Sequence, residues 1–131
     1  DFRFGSVNLK HAFFLVKLLE DNNYNGPRHF DAHAYRQSNY DDVREFAKGC
    51  MRTYMILKHK AERWNKDKEI QGLLKQINTD DPSLARITRR FTPQGAKKLL
   101  NTNLDRVKLA DAALPYEKLD QLTMEILMGV R

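Results

Sequence analysis

The sequence predicts a mainly α fold, built of long helices with at most one short strand. Val43, Ala47, Cys50, Tyr54, Leu57, Ala61 and Trp64 recur at steps of four and three, the period of a single helix face held for about six turns. Capping residues and prolines punctuate the rest of the chain, as expected where helix follows helix. One stretch alone alternates with the period of a strand, and nothing elsewhere offers it an evident partner.

The first helix is expected over Val7–Glu20. Asn8 is its capping residue, and Asp21-Asn22-Asn23 with Gly26-Pro27 ends it. Leu9, Ala12, Phe13, Phe14, Leu15, Val16, Leu18 and Leu19 surround most of its circumference, leaving a polar stripe of Lys10, Lys17 and Asp21. A helix that is apolar on nearly all sides expects neighbours on several sides.

Arg28 to Tyr35 is the candidate strand. In an extended backbone His29, Asp31 and His33 share one face, and Phe30, Ala32 and Ala34 share the other. Asn39 then caps the long helix, with Asp41 and Asp42 in its first turn. Phe46, Met51 and Met55 widen the stripe.

Beyond Trp64 the chain breaks into shorter pieces. Ile70, Leu73, Leu74 and Ile77 mark one helix, stopped by Asn78-Thr79-Asp80-Asp81-Pro82-Ser83. Arg86 to Arg90 is basic and lightly apolar. Pro93 opens a helix that includes Leu99 and Leu100, and Asp105 to Leu114 forms another, halted by Pro115. The last runs from Tyr116 to Met128, with Leu119, Leu122 and Ile126 as its stripe. Residues 1–66 and 67–131 therefore divide into two parts, the second an arm that lies on something else.

The 131 residues carry 23 Lys+Arg and 17 Asp+Glu, a net charge of +6. This composition is that of a folded chain. No apolar run reaches the ~20 residues of a membrane span, so no membrane partner is expected. The lone Cys50 excludes an intrachain disulfide and points to a reducing, cytoplasmic compartment. No signal peptide is evident, and the opening Asp1 in place of Met suggests that translation began elsewhere. Cys50 lies on the buried stripe and reads as a structural thiol. Lys58, Lys60, Arg63, Lys66 and Lys68, like Arg86, Arg89 and Arg90, read as solvated faces, because acids interrupt the first group and no nucleic-acid motif accompanies either. No phosphate-binding glycine loop, serine elbow or Cys-x-x-Cys is present.

His29-x-Asp31-x-His33 is the one local spacing with metal-ligand chemistry. The competing reading is that these side chains make ordinary surface hydrogen bonds.

Several motifs in order resemble the xylose isomerase family. They are Asp1-Phe2-Arg3-Phe4-Gly5, Leu9, Ala12-Phe13, Leu18-Leu19-Glu20 and Gly26-Pro27-Arg28-His29-Phe30-Asp31. Tyr40-Asp41-Asp42-Val43, Ala47, Met51-Arg52-Thr53-Tyr54 and Leu57-Lys58 continue the likeness. Leu119-Asp120-Gln121-Leu122 and Leu127-Met128-Gly129-Val130-Arg131 close it. The resemblance covers only the final third of that family: the last part of a (β/α)8 barrel, matched by residues 1–66, and an extended C-terminal helical arm, matched by 67–131.

The resemblance implies an enzyme that interconverts xylose and xylulose, or glucose and fructose, with two divalent metals (Mg, Mn or Co) and an arm that wraps a neighbouring subunit. Asp1 matches a carboxylate ligand of the metal that moves during hydride shift, and Asp31 a ligand of the metal that holds the substrate oxygens. The other ligands, the ring-opening histidine and the lysine near the transferred hydrogen belong to segments that this chain lacks. A hard divalent cation needs about six oxygen-rich ligands, so no catalytic residue is assigned and no isomerase activity is expected of the chain alone. Where the family commonly has Lys and then often Pro after the second motif, this chain has His33 and Ala34. That change permits residual binding of a divalent cation at His29, Asp31 and His33, although the chain requires none.

Contact surfaces remain as the expected business of such a piece. Phe13, Phe14, Leu18 and Tyr54 are the candidate interface residues on the first half of the chain. Leu57, Trp64, Leu119, Leu122 and Ile126 are the others. The expected partner is a second copy, each arm lying on the other's long helix in a domain-swapped dimer, or a full-length xylose isomerase. The alternative is that the chain is a truncated part of a complete aldose–ketose isomerase.

Overall fold

The computed structural model describes residues 2–34, 39–77, 86–87, 92–103, 106–111 and 113–131. Asp1, the break at 78–83, and Arg89, Arg90 and Asp105 lie outside the described residues. The named helices are α1 (Leu9–Asp21), α2 (Tyr40–Lys66), α3 (Lys68–Ile77), α4 (Pro93–Leu100), α5 (Arg106–Asp111) and α6 (Tyr116–Met128). No strand forms among the described residues.

The helix starts follow their caps. Asn8 Oδ1 accepts from the His11 amide, Asn39 Oδ1 from the Asp42 amide and Thr92 Oγ1 from the Gly95 amide, each satisfying a donor that has no partner within the helix. Asp67 ends α2 and starts α3, its Oδ1 accepting from the Glu69 and Ile70 amides at 3.0 Å each. Gly129 ends α6 at φ 83°, and its amide reaches back to the Glu125 and Ile126 carbonyls.

One hydrophobic core joins α1, α2, α3 and α6. Phe13 and Val16 of α1 meet Tyr54, Leu57, Ala61 and Trp64 of α2, with Ile70 and Leu73 of α3 and Leu122, Ile126 and Leu127 of α6. The core thus takes residues from both sides of Asp67. Neither α4 nor α5 contributes a described residue to it. The stripe on α2 is buried from Cys50 to Trp64, whereas Val43 and Ala47 are exposed. At 13 residues α1 is half as long as the 27-residue α2, so it covers only part of that helix.

Polar contacts fix the packing. The buried Trp64 Nε1 donates to Thr123 Oγ1 at 3.0 Å, and Lys17 Nζ sits 4.3 Å from the Trp64 ring. Lys10 of α1 pairs with Asp120 of α6. The Arg131 guanidinium binds Asp67 Oδ2 at 2.7 Å and Glu125 Oε2 at 3.3 Å and also pairs with Glu69, tying the chain end to the α2–α3 junction. Arg131 therefore holds its proton even more firmly than usual, through the bonds to Asp67 and Glu69. No described helix is long and apolar enough to cross a membrane.

Candidate functional site

The segment after α1 builds the most chemically varied region. Arg28 anchors it, with four bonds from its planar fork of five N–H donors. Nε donates to Tyr54 Oη at 2.9 Å, Nη1 to the Gly26 carbonyl at 2.9 Å, and Nη2 to Glu20 Oε1 at 3.1 Å and the Tyr24 carbonyl at 2.9 Å. Tyr54 Oη in turn donates to Glu20 Oε1 at 2.6 Å, and Lys58 Nζ pairs with Glu20 Oε2 at 2.7 Å. One carboxylate at the end of α1 thereby ties the loop to α2.

The charges respond to this arrangement. The hydrogen bond from Lys58, joined by that from Tyr54, holds the Glu20 carboxyl below its usual range despite burial. Burial pushes the Tyr54 hydroxyl up, and its bond to Glu20 adds to the effect. Tyr54 is thus a neutral donor at physiological pH, and Glu20 is an anion flanked by two cations.

From Arg28 to Ala34 the chain alternates in exposure. Arg28, Phe30, Ala32 and Ala34 are half-buried, and His29, Asp31 and His33 are exposed. The two rows expected of an extended segment are therefore present without a ladder. Phe30 packs on Phe4 and Tyr54, with ring centroids 5.3 and 6.5 Å apart. These residues, with Phe2, Leu15, Leu19, Tyr24 and Pro27, line an open cleft of about 430 Å³.

His29, Asp31 and His33 share the outer row but do not converge. Successive members of such a row are ~6.6 Å apart along an extended backbone and its ends ~13 Å, whereas ligand bonds to a divalent cation are ~2 Å. No group of three or more His, Cys, Asp or Glu is placed to hold a metal among the described residues. Asp1 lies outside them. The described side chains therefore do not by themselves fit a divalent metal centre.

Six of the nine candidate interface residues sit in the chain's own core: Phe13, Tyr54, Leu57, Trp64, Leu122 and Ile126. Leu119 is partly buried against it. Phe14 and Leu18 remain on the surface, 41% and 61% exposed, beside Leu15 at 50%. Among the described residues the apolar circumference of α1 is thus covered on one side only.

Glu20, Arg28, Tyr54 and Lys58 each stand in a motif quoted above, but nothing in the sequence groups them as a cluster. Its only local signal is Tyr54 and Lys58, one turn apart on α2. Glu20 and Tyr54 lie 34 residues apart.

Comparison with known proteins bears on the whole chain. The xylose isomerase of Thermus thermophilus is 46% identical over 131 residues, and that of Thermus caldophilus 45% over 131. The xylose isomerase of Streptomyces lividans is 40% identical over 133. Each alignment takes in all of this chain. The chain is similar to the C-terminal third of the xylose isomerase family. It spans about a third of the length of these relatives: 34%, 34% and 33%. No family model matches the chain. The mainly α architecture agrees with the helical arm expected from the likeness. The Arg28 anchor lies within the Gly26–Asp31 motif.

Proposed function

We propose that this chain is a contact module of the xylose isomerase type, without catalysis of its own. The observation that carries the reading is the uncovered apolar face of α1 at Phe14, Leu15 and Leu18, continuous through Leu15 with the cleft at Phe2, Phe4 and Phe30. Fully burying one such side chain stabilises by about 1.5–3 kcal/mol, so covering three that are about half exposed supplies about 2–4 kcal/mol. The partner is polypeptide of the same family, either a second copy or a full-length xylose isomerase. Because α3 and α6 already occupy one side of α2 in the same chain, the outer face of α1 is the surface that docks.

The test is solution mass by light scattering at micromolar concentration, alone and mixed with a full-length xylose isomerase. A dimer, or a complex that Leu18→Asp abolishes, supports the proposal. A monomer that binds neither overturns it.

A second reading rests on the coverage of the relatives. In it the chain is part of a complete metal-dependent isomerase acting on xylose or glucose. There Asp31 would ligate Mg, Mn or Co together with carboxylates from other segments, and the cleft would face those segments. Intact mass of the protein from its native source separates the two readings.

A further inference from the structure

A second cavity lies away from the cleft, on the face of α2 formed by residues 45, 48, 49, 52, 53 and 56. It measures about 410 Å³, and Arg3, Glu45, Lys48, Gly49, Arg52, Thr53 and Ile56 line it. Arg3 reaches it from the turn before α1. That turn is closed by the Ser6 amide and hydroxyl, both donating to the Arg3 carbonyl, at 3.0 and 2.7 Å. The Arg3 stem lies across Gly49, where a Cβ would come within 2.9 Å of Arg3 Cδ and 3.7 Å of Nη1. The missing side chain at position 49 leaves room for the aliphatic stem of Arg3, which a Cβ there would push aside.

Charge in this notch is unbalanced. Lys48 Nζ binds Glu45 Oε1 at 2.6 Å, so these two neutralise each other. Arg3 and Arg52 form no ion pair of their own among the described residues, and Arg52 acts on Glu45 only at longer range. Three cations against one carboxylate leave two positive charges, both on guanidinium groups. Planar guanidinium forks suit bidentate recognition of phosphate oxygens, and a phosphate group carries about two negative charges near neutral pH.

We propose that the notch of Arg3, Gly49 and Arg52 binds a phosphate-type oxyanion. The site is separate from the apolar face of α1 and does not depend on the contact-module reading. Inorganic phosphate is the first probe, followed by its phosphorus resonance and by calorimetry at low ionic strength. Glycerol 3-phosphate is the second. Saturable millimolar binding is expected, weakened at least about tenfold in Arg3→Ala and in Arg52→Ala. Gly49→Ala supplies the check on structure. It raises helix propensity and so leaves the melting temperature unchanged or higher, yet it displaces the Arg3 stem and weakens phosphate binding. Tighter binding of the ester assigns the site to a phosphorylated small molecule, and equal or weaker binding assigns it to the free ion. A non-saturating response, or unchanged affinity in both arginine variants, overturns the proposal.

Discussion

Replacing Thr123 by Val changes one buried atom and leaves the shape of the core nearly intact. Thr123 is 1% exposed and its hydroxyl accepts from Trp64 Nε1 at 3.0 Å. The same hydroxyl donates to the Leu119 carbonyl at 2.8 Å, one turn back in α6. Valine leaves the indole N–H without a partner at a site only 5% exposed. An unsatisfied buried donor costs about 1–3 kcal/mol, and the added methyl offsets about 0.8 kcal/mol of that. The net loss is about 0.2–2 kcal/mol, or up to about 8 °C in melting temperature for a chain of this size. Urea unfolding read by Trp64, the only tryptophan, measures it directly. Circular dichroism repeats the measurement in a Trp64→Phe background, where the donor is gone and the cost of Thr123→Val shrinks by about 1 kcal/mol. Equal stability of Thr123→Val and the parent chain, or an equal cost in both backgrounds, would mean that the Trp64–Thr123 hydrogen bond contributes nothing to the fold.

Two other perturbations probe the ends of the elements. Glu20 has a folded-state pKa below its unfolded value, so its contribution is present above the unfolded value and lost as pH falls through the folded one. Glu20→Gln therefore destabilises at pH 7 and loses its effect in acid; a constant difference across a urea-midpoint series over pH would contradict this. Gly129→Ala forces a Cβ onto a residue at φ 83° and is expected to cost about 1 kcal/mol in unfolding free energy. A neutral result would remove the glycine cap from the account.

Much of the helical organisation was legible because caps and breakers are local. Asn8, Asn39 and Pro115 placed the starts of α1, α2 and α6 within a residue or two, and α6 runs from Tyr116 to Met128 as its pattern predicts. The alternation at Arg28–Ala34 also follows the sequence, although an extended segment needs a neighbour to become a strand. Periodicity shows which residues share a face, not how far the partner extends, and so Val43 and Ala47 lie beyond the core their stripe predicts. The return of α3 and α6 onto α2 and the Arg131–Asp67 link, 64 residues apart, leave no trace in local spacing. Of the Glu20–Arg28–Tyr54–Lys58 cluster, drawn from α1, a loop and α2, the one-turn spacing of Tyr54 and Lys58 is the only local trace.

The spacing of His29, Asp31 and His33 suggested a shared face, and the exposure pattern agrees with it. A shared face is a weaker condition than convergence on one ion, which requires donors at different heights to be folded toward a point.

Incubating the purified chain with xylose and Mg, Mn or Co, then assaying xylulose, decides whether it has catalysis of its own. No product above a protein-free blank is expected with any of the three metals. Xylulose formation by this polypeptide alone would contradict that expectation.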